Sequence, residues 1–154
     1  MIEGQETKVM SVRDAIIEAM SEEMRRDENV FLIGEDVGVY GGDFGTSVGM
    51  LEEFGSERVR DTPISENAIS GCAVGAALTG MRPIVDVTFM DFIVYMMDNI
   101  VNQAAKTRYM YGGKGSVPVV FRCAAGSGLC SAAQHSQSLE SWFCHIPGLK
   151  VVAP

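Results

Sequence analysis

Short apolar runs that alternate with helix-length segments constrain this chain more than any other feature. "NVFLIG" (29–34), "RVRDTPI" (58–64), "RPIVDVTF" (82–89), "VPVVFR" (117–122) and "LKVVAP" (149–154) read as strands. Between them lie a helix over 12–27, a short helix in "GMLEEFG", a small-residue helix over 66–80, a long helix over 91–110 and a helix in "QSLESWF". Parallel neighbours need a crossover between them, and strands covered on both faces read as unbroken apolar runs. The pattern predicts an α/β fold, a parallel sheet flanked by helices on both faces. No internal repeat, low-complexity tract or interior linker divides residues 1–154, so one domain is expected.

The first helix has the clearest grammar. Ser11 and Asp14 form a capping box with an acid in place of the usual Glu or Gln. Val12, Ile16, Met20 and Met24 recur at helical spacing, and Arg25 and Arg26 occupy the last turn. Gly80 ends the 66–80 helix. Within it, Gly71 and Gly75 stand four apart, a spacing that lets another helix approach closely. The 91–110 helix is apolar nearly all round at its start. Two such helices in one small domain predict an interface, and therefore an oligomer.

Composition removes several function classes. Hydrophobic residues make up 47% and charged residues 21%, ordinary for a globular domain. The net charge of -8 argues against nucleic acid or an anionic membrane as partner, since both need clustered Lys and Arg. No apolar run approaches the roughly 18 residues of a membrane span. The first ten residues, "MIEGQETKVM", lack the basic start and apolar centre of a signal peptide, so the cytoplasm is the default compartment. None of Cys72, Cys123, Cys130 and Cys144 forms a C-x-x-C pair, so no zinc or redox motif is present. Cys72, inside the small-residue helix, is expected to be a buried small hydrophobe. A chain ending on the strand-like "LKVVAP" is expected to be a fragment of a longer protein.

Phosphate-binding motifs are missing. "GVYGGDFGTS" has neither P-loop nor dinucleotide-binding spacing, and "YGGKGS" places Lys114 between glycines outside any P-loop frame. Both loops read as turns or partner contacts, which leaves phosphates to some other domain. His135, in the loop after a strand, lies where α/β sites form. His145 beside Cys144 does not make a nucleophile pair, because sequence neighbours rarely face each other. Glu66 follows a strand with no cation or metal-type ligand beside it. It is either a surface acid at a helix N-terminus or a carboxyl whose pKa rises in an apolar crevice.

"DTPISENAISGCAVGAALTGMRP", "NQAAKTRYMYGGK" and "AAQHSQSLESWFCHIPGLKVVAP" closely resemble the β subunit of thiamine-diphosphate-dependent 2-oxo acid dehydrogenases. The decarboxylating components of pyruvate, branched-chain and acetoin dehydrogenase complexes are built this way. The resemblance runs from about residue 8 and implies a pyrimidine-binding domain of the transketolase-like thiamine-diphosphate-binding fold over 1–154. The family's second, C-terminal domain is absent from the chain. In the family, the acid of TPISE donates to the ring nitrogen of the cofactor's aminopyrimidine and favours the imino form that removes the thiazolium proton. That acid is Glu66 here, and a basic neighbour would work against it.

By the same match, Ile64 and Phe92 would pack around the pyrimidine, with Tyr95 one turn on at the same wall. Thr88 stands at a further cofactor contact, where a larger side chain is often found. His135 matches the active-site histidine, close to the substrate and the incoming lipoyl arm, where it transfers protons during acyl transfer. Gly71 and Gly75 match the family's interface helix, although Leu78 replaces a Gln sometimes found there. The diphosphate and Mg²⁺ are held in the family by a G-D-G…N motif of the α subunit, which this sequence lacks, so no metal ligand is assigned. The resemblance thus implies an α2β2 heterotetramer. It acts on pyruvate, acetoin or a branched-chain 2-oxo acid and passes the acyl group to a lipoyl-bearing acyltransferase. "MRPIVDV", "RYMYGGK" and "SQSLESWF" stand slightly closer to the acetoin and pyruvate enzymes. Other readings are a split transketolase-like enzyme, a non-catalytic assembly module and a flavodoxin-like nucleotide binder, the last opposed by the missing phosphate loop.

Overall fold

The computed structural model describes residues 8–154. Most of the polar N-terminal stretch read above lies outside the described residues. Strands β1 (Val30–Gly34), β2 (Val59–Asp61), β3 (Arg82–Phe89) and β4 (Val120–Ala124) form one sheet in the order β2-β1-β3-β4, and every pair is parallel. Alternate residues point to opposite faces. Val30, Leu32 and Ile84 pack with Met20 and Met24 of α1 (Val12–Arg26) and Met50 of α2 (Met50–Phe54). Phe31, Ile33, Val85 and Val87 pack on the other face with Ile69 and Ala73 of α3 (Glu66–Leu78) and Phe143 of α5 (Glu140–Cys144). The sheet is therefore covered on both sides, as the continuous apolar strands require.

Helix ends follow the sequence signals. Ser11 Oγ accepts a hydrogen bond from the Asp14 N–H at 3.1 Å, which caps α1. Helix α3 closes in a Schellman motif. Met81 N–H donates to the Ala76 carbonyl, Gly80 N–H donates to that of Ala77, and Gly80 takes a φ of +103°. The buried face of α3 is Ile69, Ser70, Ala73, Val74 and Ala77. Cys72 projects from the opposite side and is exposed, contrary to the expectation from its apolar surroundings in sequence. Cys130 and Cys144 are exposed too, and Cys123 is half-buried.

Two further expectations are corrected. Residues 91–110 do not form one α-helix. A 3₁₀ helix (Met90–Met96) leads into a π-helical segment (Asp98–Ala104) and then into α4 (Thr107–Met110). Three fixed contacts set this winding. Asp91 binds Gln137, Met96 and Ile100 enter the core, and Asn99 Nδ2 reaches Asn67 and Ser70 of α3 at 2.9–3.0 Å. A uniform 3.6-residue turn is replaced by one tight and one wide stretch that meet all three. "LKVVAP" forms no strand among the described residues, because no neighbour extends the sheet past β4. Strand β2 also stops early. Thr62 N–H still donates to the Gly34 carbonyl at 3.0 Å, but Pro63 has no N–H to continue the ladder.

Candidate active site

All four strands run the same way, so the segments that leave their carboxyl ends gather along one edge, where open α/β sheets bind ligands. Strand β1 delivers Glu35 there. Its carboxylate accepts from the Ser65 N–H at 3.3 Å, which ties it to the start of α3 and so to Glu66. Burial pushes the Glu35 carboxyl above its ordinary value, and the charge of Glu66 pushes it the same way. Glu66 itself is half-buried in the first turn of α3, and no side chain among the described residues hydrogen-bonds or ion-pairs with its carboxylate. Asp61, at the end of β2, accepts from the N–H groups of Gly38 (2.6 Å) and Val39 (3.3 Å). A Cβ at Gly38 would lie 2.5 Å from that carboxylate, so only glycine lets the glycine-rich loop dock here.

Strand β3 ends in a distortion. Its register on β4 shifts between Asp86 and Phe89. Buried Thr88 takes a φ of +58°, an outlier for a β-branched residue. Asp86 holds that turn, accepting from the Thr88 N–H at 3.0 Å while pairing with Arg122 on β4. Beyond the turn, four aromatic rings meet edge to face. Phe89 lies 5.2 Å from Phe44, 5.9 Å from Phe92 and 4.8 Å from His135, and Phe92 lies 5.3 Å from His135. A flat ring bound against this wall would find apolar contact, with an uncommitted carboxylate on the β1–β2 side of the same edge.

The structure therefore brings Thr88, Phe92 and His135 together around Phe89, and it places Glu66 on the same edge beside Glu35. Ile64 is 82% exposed and Tyr95 is 63% exposed. In a 3₁₀ helix residues three apart eclipse, so Tyr95 stands above Phe92 but outside the cluster. A Cβ at Gly71 would make ordinary contact with Asn99, and one at Gly75 would meet open space. Sequence reasoning passed over Glu35, Phe44, Phe89 and Asp91. Glu35 carried a usable signal: an acid directly after a buried apolar strand sits at the ligand edge of a parallel sheet.

Comparison with known proteins converges on one family. The family described as "Transketolase, pyrimidine binding domain" matches residues 8–154. The chain is 50% identical over 151 residues to a pyruvate dehydrogenase E1 component subunit beta of Rhizobium meliloti, covering 98% of this chain and 33% of that one. It is 50% identical to the beta subunit of the acetoin:2,6-dichlorophenolindophenol oxidoreductase of Bacillus subtilis, covering 96% and 46%. It is 51% identical to the 2-oxoisovalerate dehydrogenase subunit beta of Bacillus subtilis, covering 95% and 45%. The chain thus spans between a third and just under half the length of these curated relatives. Among solved structures, a split-gene transketolase described as an inactive beta4 tetramer superposes with a TM-score of 0.64 at 19% identity, over 91% of this chain and 41% of that one, a likeness of fold. The chain belongs to the transketolase pyrimidine-binding domain family.

Proposed function

We propose that this chain is the pyrimidine-side half of an active site in a thiamine-diphosphate-dependent dehydrogenase, the β subunit of a 2-oxo acid or acetoin dehydrogenase complex. The observation that carries the reading is Glu66, a half-buried carboxylate at the ligand edge that no described side chain engages. A half-buried acid that no side chain engages is free to hydrogen-bond a group bound beside it. Sequence identity near one half to three kinds of E1 beta subunit supports the same reading. The identities are level, so the preference for pyruvate or acetoin rests on the motifs quoted above.

The residues present fit the cofactor's ring half. Phe92 and Phe89 offer an apolar wall, and Glu66 would hold a proton at the aminopyrimidine ring nitrogen. Ile64 and Tyr95, exposed in this chain, would close the pocket once a partner subunit covers the edge, and Thr88 lies buried at the wall's base. Thiamine diphosphate supplies the nucleophilic carbon and electron sink for cleavage beside a carbonyl. His135 would move a proton at the substrate oxygen as the acyl group leaves for a lipoyl arm. The diphosphate and Mg²⁺ would be held by an α subunit, in an α2β2 assembly in the cytoplasm, with the Gly71–Gly75 face of α3 at a subunit interface. A C-terminal domain beyond residue 154 belongs to the same reading.

The test is co-purification of the full-length β subunit with its α partner. Thiamine-diphosphate-dependent dye reduction is then assayed with pyruvate, acetoin and branched-chain 2-oxo acids in parallel. One substrate should turn over, and Glu66→Gln should abolish that turnover while the assembly stays intact on gel filtration. Full activity in Glu66→Gln would leave the chain as an assembly module.

A further inference from the structure

We propose that Asp91 is a positioning residue for His135, holding the base of the histidine loop against the wall of the site. The inference rests on the reading above, in which His135 serves acyl transfer. Asp91 is 5% exposed and sits at the start of the 3₁₀ helix among Met90, Ile93 and Met96. A carboxylate in such a place is costly unless it is satisfied by donors. Its donors come from 46 residues away: the Gln137 side-chain Nε2–H at 2.7 Å and the Gln137 backbone N–H at 3.4 Å. Burial, the largest single influence, works to raise the Asp91 carboxyl, but the Gln137 bonds, with the backbone N–H groups of Asp91 and Ser136, hold it below the usual carboxylate range.

The anchor closes the loop at its base. Gly126 N–H donates to the Gln137 carbonyl at 3.0 Å, and Leu139 N–H donates to Met90 Sδ at 2.9 Å. Residues 126–137 are thus gathered into one closed loop whose neck is Gln137, and the neck is fastened to Asp91. His135 stands two residues before that neck. Its ring packs edge-on against Phe92, the residue after Asp91, and against Phe89. Anchor and ring contact therefore lie on the same turn of backbone, and a movement of one moves the other. Residues 127–134 are exposed, as is Gln137, while Gly126, His135 and Ser136 are half-buried; Cys130 and Ala132 both lie in the left-handed region. Asp91 is the buried polar contact that the described residues give this loop's neck.

The chemistry asks for such a fastening. A group that transfers a proton must be held to within a fraction of an ångström, and a misplacement of about 1 Å can cost roughly 100-fold in rate. The experiment uses the α2β2 enzyme with a lipoyl domain. It reads three quantities for Asp91→Ala, Asp91→Asn, Gln137→Ala and His135→Ala: dye reduction, lipoyl acylation, and hydrogen exchange over 126–137. Asp91→Ala and Gln137→Ala should lower lipoyl acylation by about 100-fold and leave dye reduction near wild type. Asp91→Asn, which keeps an acceptor for the Gln137 amide, should recover part of the loss. Asp91→Ala added to His135→Ala should cause little further loss, because both act through one group. Loop exchange should quicken in Asp91→Ala.

Acylation at the wild-type rate in Asp91→Ala, or a fall matched by dye reduction, would overturn the proposal. If His135→Ala is itself neutral, the role given to His135 fails, and unchanged loop exchange in Asp91→Ala then sinks the anchor separately. If Asp91→Ala does not assemble, Gln137→Ala decides by the same readouts.

Discussion

Arg58 offers a measurable link between local chemistry and the frame of the site. It lies just before β2, the strand that leads to Glu66. Its Nη2 donates to the carbonyls of Met24 (2.7 Å), Asp27 (2.9 Å) and Val30 (2.6 Å), and its Nε donates to Val30 at 3.0 Å. Met24 and Asp27 belong to the last turn and C-cap of α1, where carbonyls have no partner within the helix. One guanidinium thus closes α1, starts β1 and fixes the entry to β2, with its charge at the negative end of the helix dipole. Arg58→Met keeps most of the stem and removes every donor. A hydrogen bond from a charged group is worth about 1.5–3 kcal/mol, but bonds sharing one half-buried head do not add. The Phe54 ring 5.4 Å away contributes about 0.5 kcal/mol more. The expected loss is about 3 kcal/mol, or roughly 6–12 °C in Tm for a domain of this size. Urea denaturation should show a lower midpoint at constant slope. Arg58→Lys should recover only part of the loss, because a point charge cannot span three carbonyls. A loss below about 1 kcal/mol would show that water replaces the guanidinium freely, and the capping role would be wrong.

Two further predictions concern titration and reactivity. Burial and the Glu66 charge raise Glu35 above 4.5, so its contribution to stability is complete below that pH and is lost as pH rises through the folded value; urea midpoints of Glu35→Gln should fall less than wild type across that rise, and parallel pH profiles would refute the coupling. Burial pushes the Cys123 thiol up to about 11, while Cys72, Cys130 and Cys144 are exposed; a thiol reagent at neutral pH should label those three in the folded chain and Cys123 only after unfolding, and fast labelling of Cys123 would contradict its burial.

The sequence carried the architecture well because its strongest signals are periodic and local. The five-residue apolar β1, the capping box at Ser11 and the glycine after α3 each act over one or two turns of chain. What it could not carry depends on partners far away in sequence. Cys72 looked buried because its neighbours are apolar, yet only a helix's contacts decide which face turns inward. The 91–110 segment looked like one helix because periodicity cannot register a demand from Gln137 or Asn67. The strand-like "LKVVAP" has the composition of a strand and no neighbour to pair with among the described residues. Of the residues gathered at the aromatic wall, Thr88, Phe92 and His135 were named from motif resemblance, whereas Phe89 and Phe44 were not. Their place depends on the Asp86–Arg122 pair and the turn at Thr88, which no local pattern announces.

The electrostatics of the ligand edge bear on how the proposed cofactor is shared between subunits. Glu35 is raised first by burial and then by the charges of Glu66, Asp43 and Asp36, and Asp43 is raised first by burial and then by the charges of Asp36 and Asp86. These shifts show an edge crowded with acids. Arg122 faces the same region, but its charge is taken up by Asp86, with both side chains largely buried. A diphosphate placed here would add like charge to groups that already repel one another, and the Arg122 guanidinium is already engaged by Asp86. A cationic thiazolium would be drawn to the same field. An amino-pyrimidine would find Glu66 free and Phe89 and Phe92 as a wall. The charge distribution and the missing phosphate loops therefore support one division of labour. In the function proposed above, this chain would take the ring half of the cofactor and leave the diphosphate to a partner.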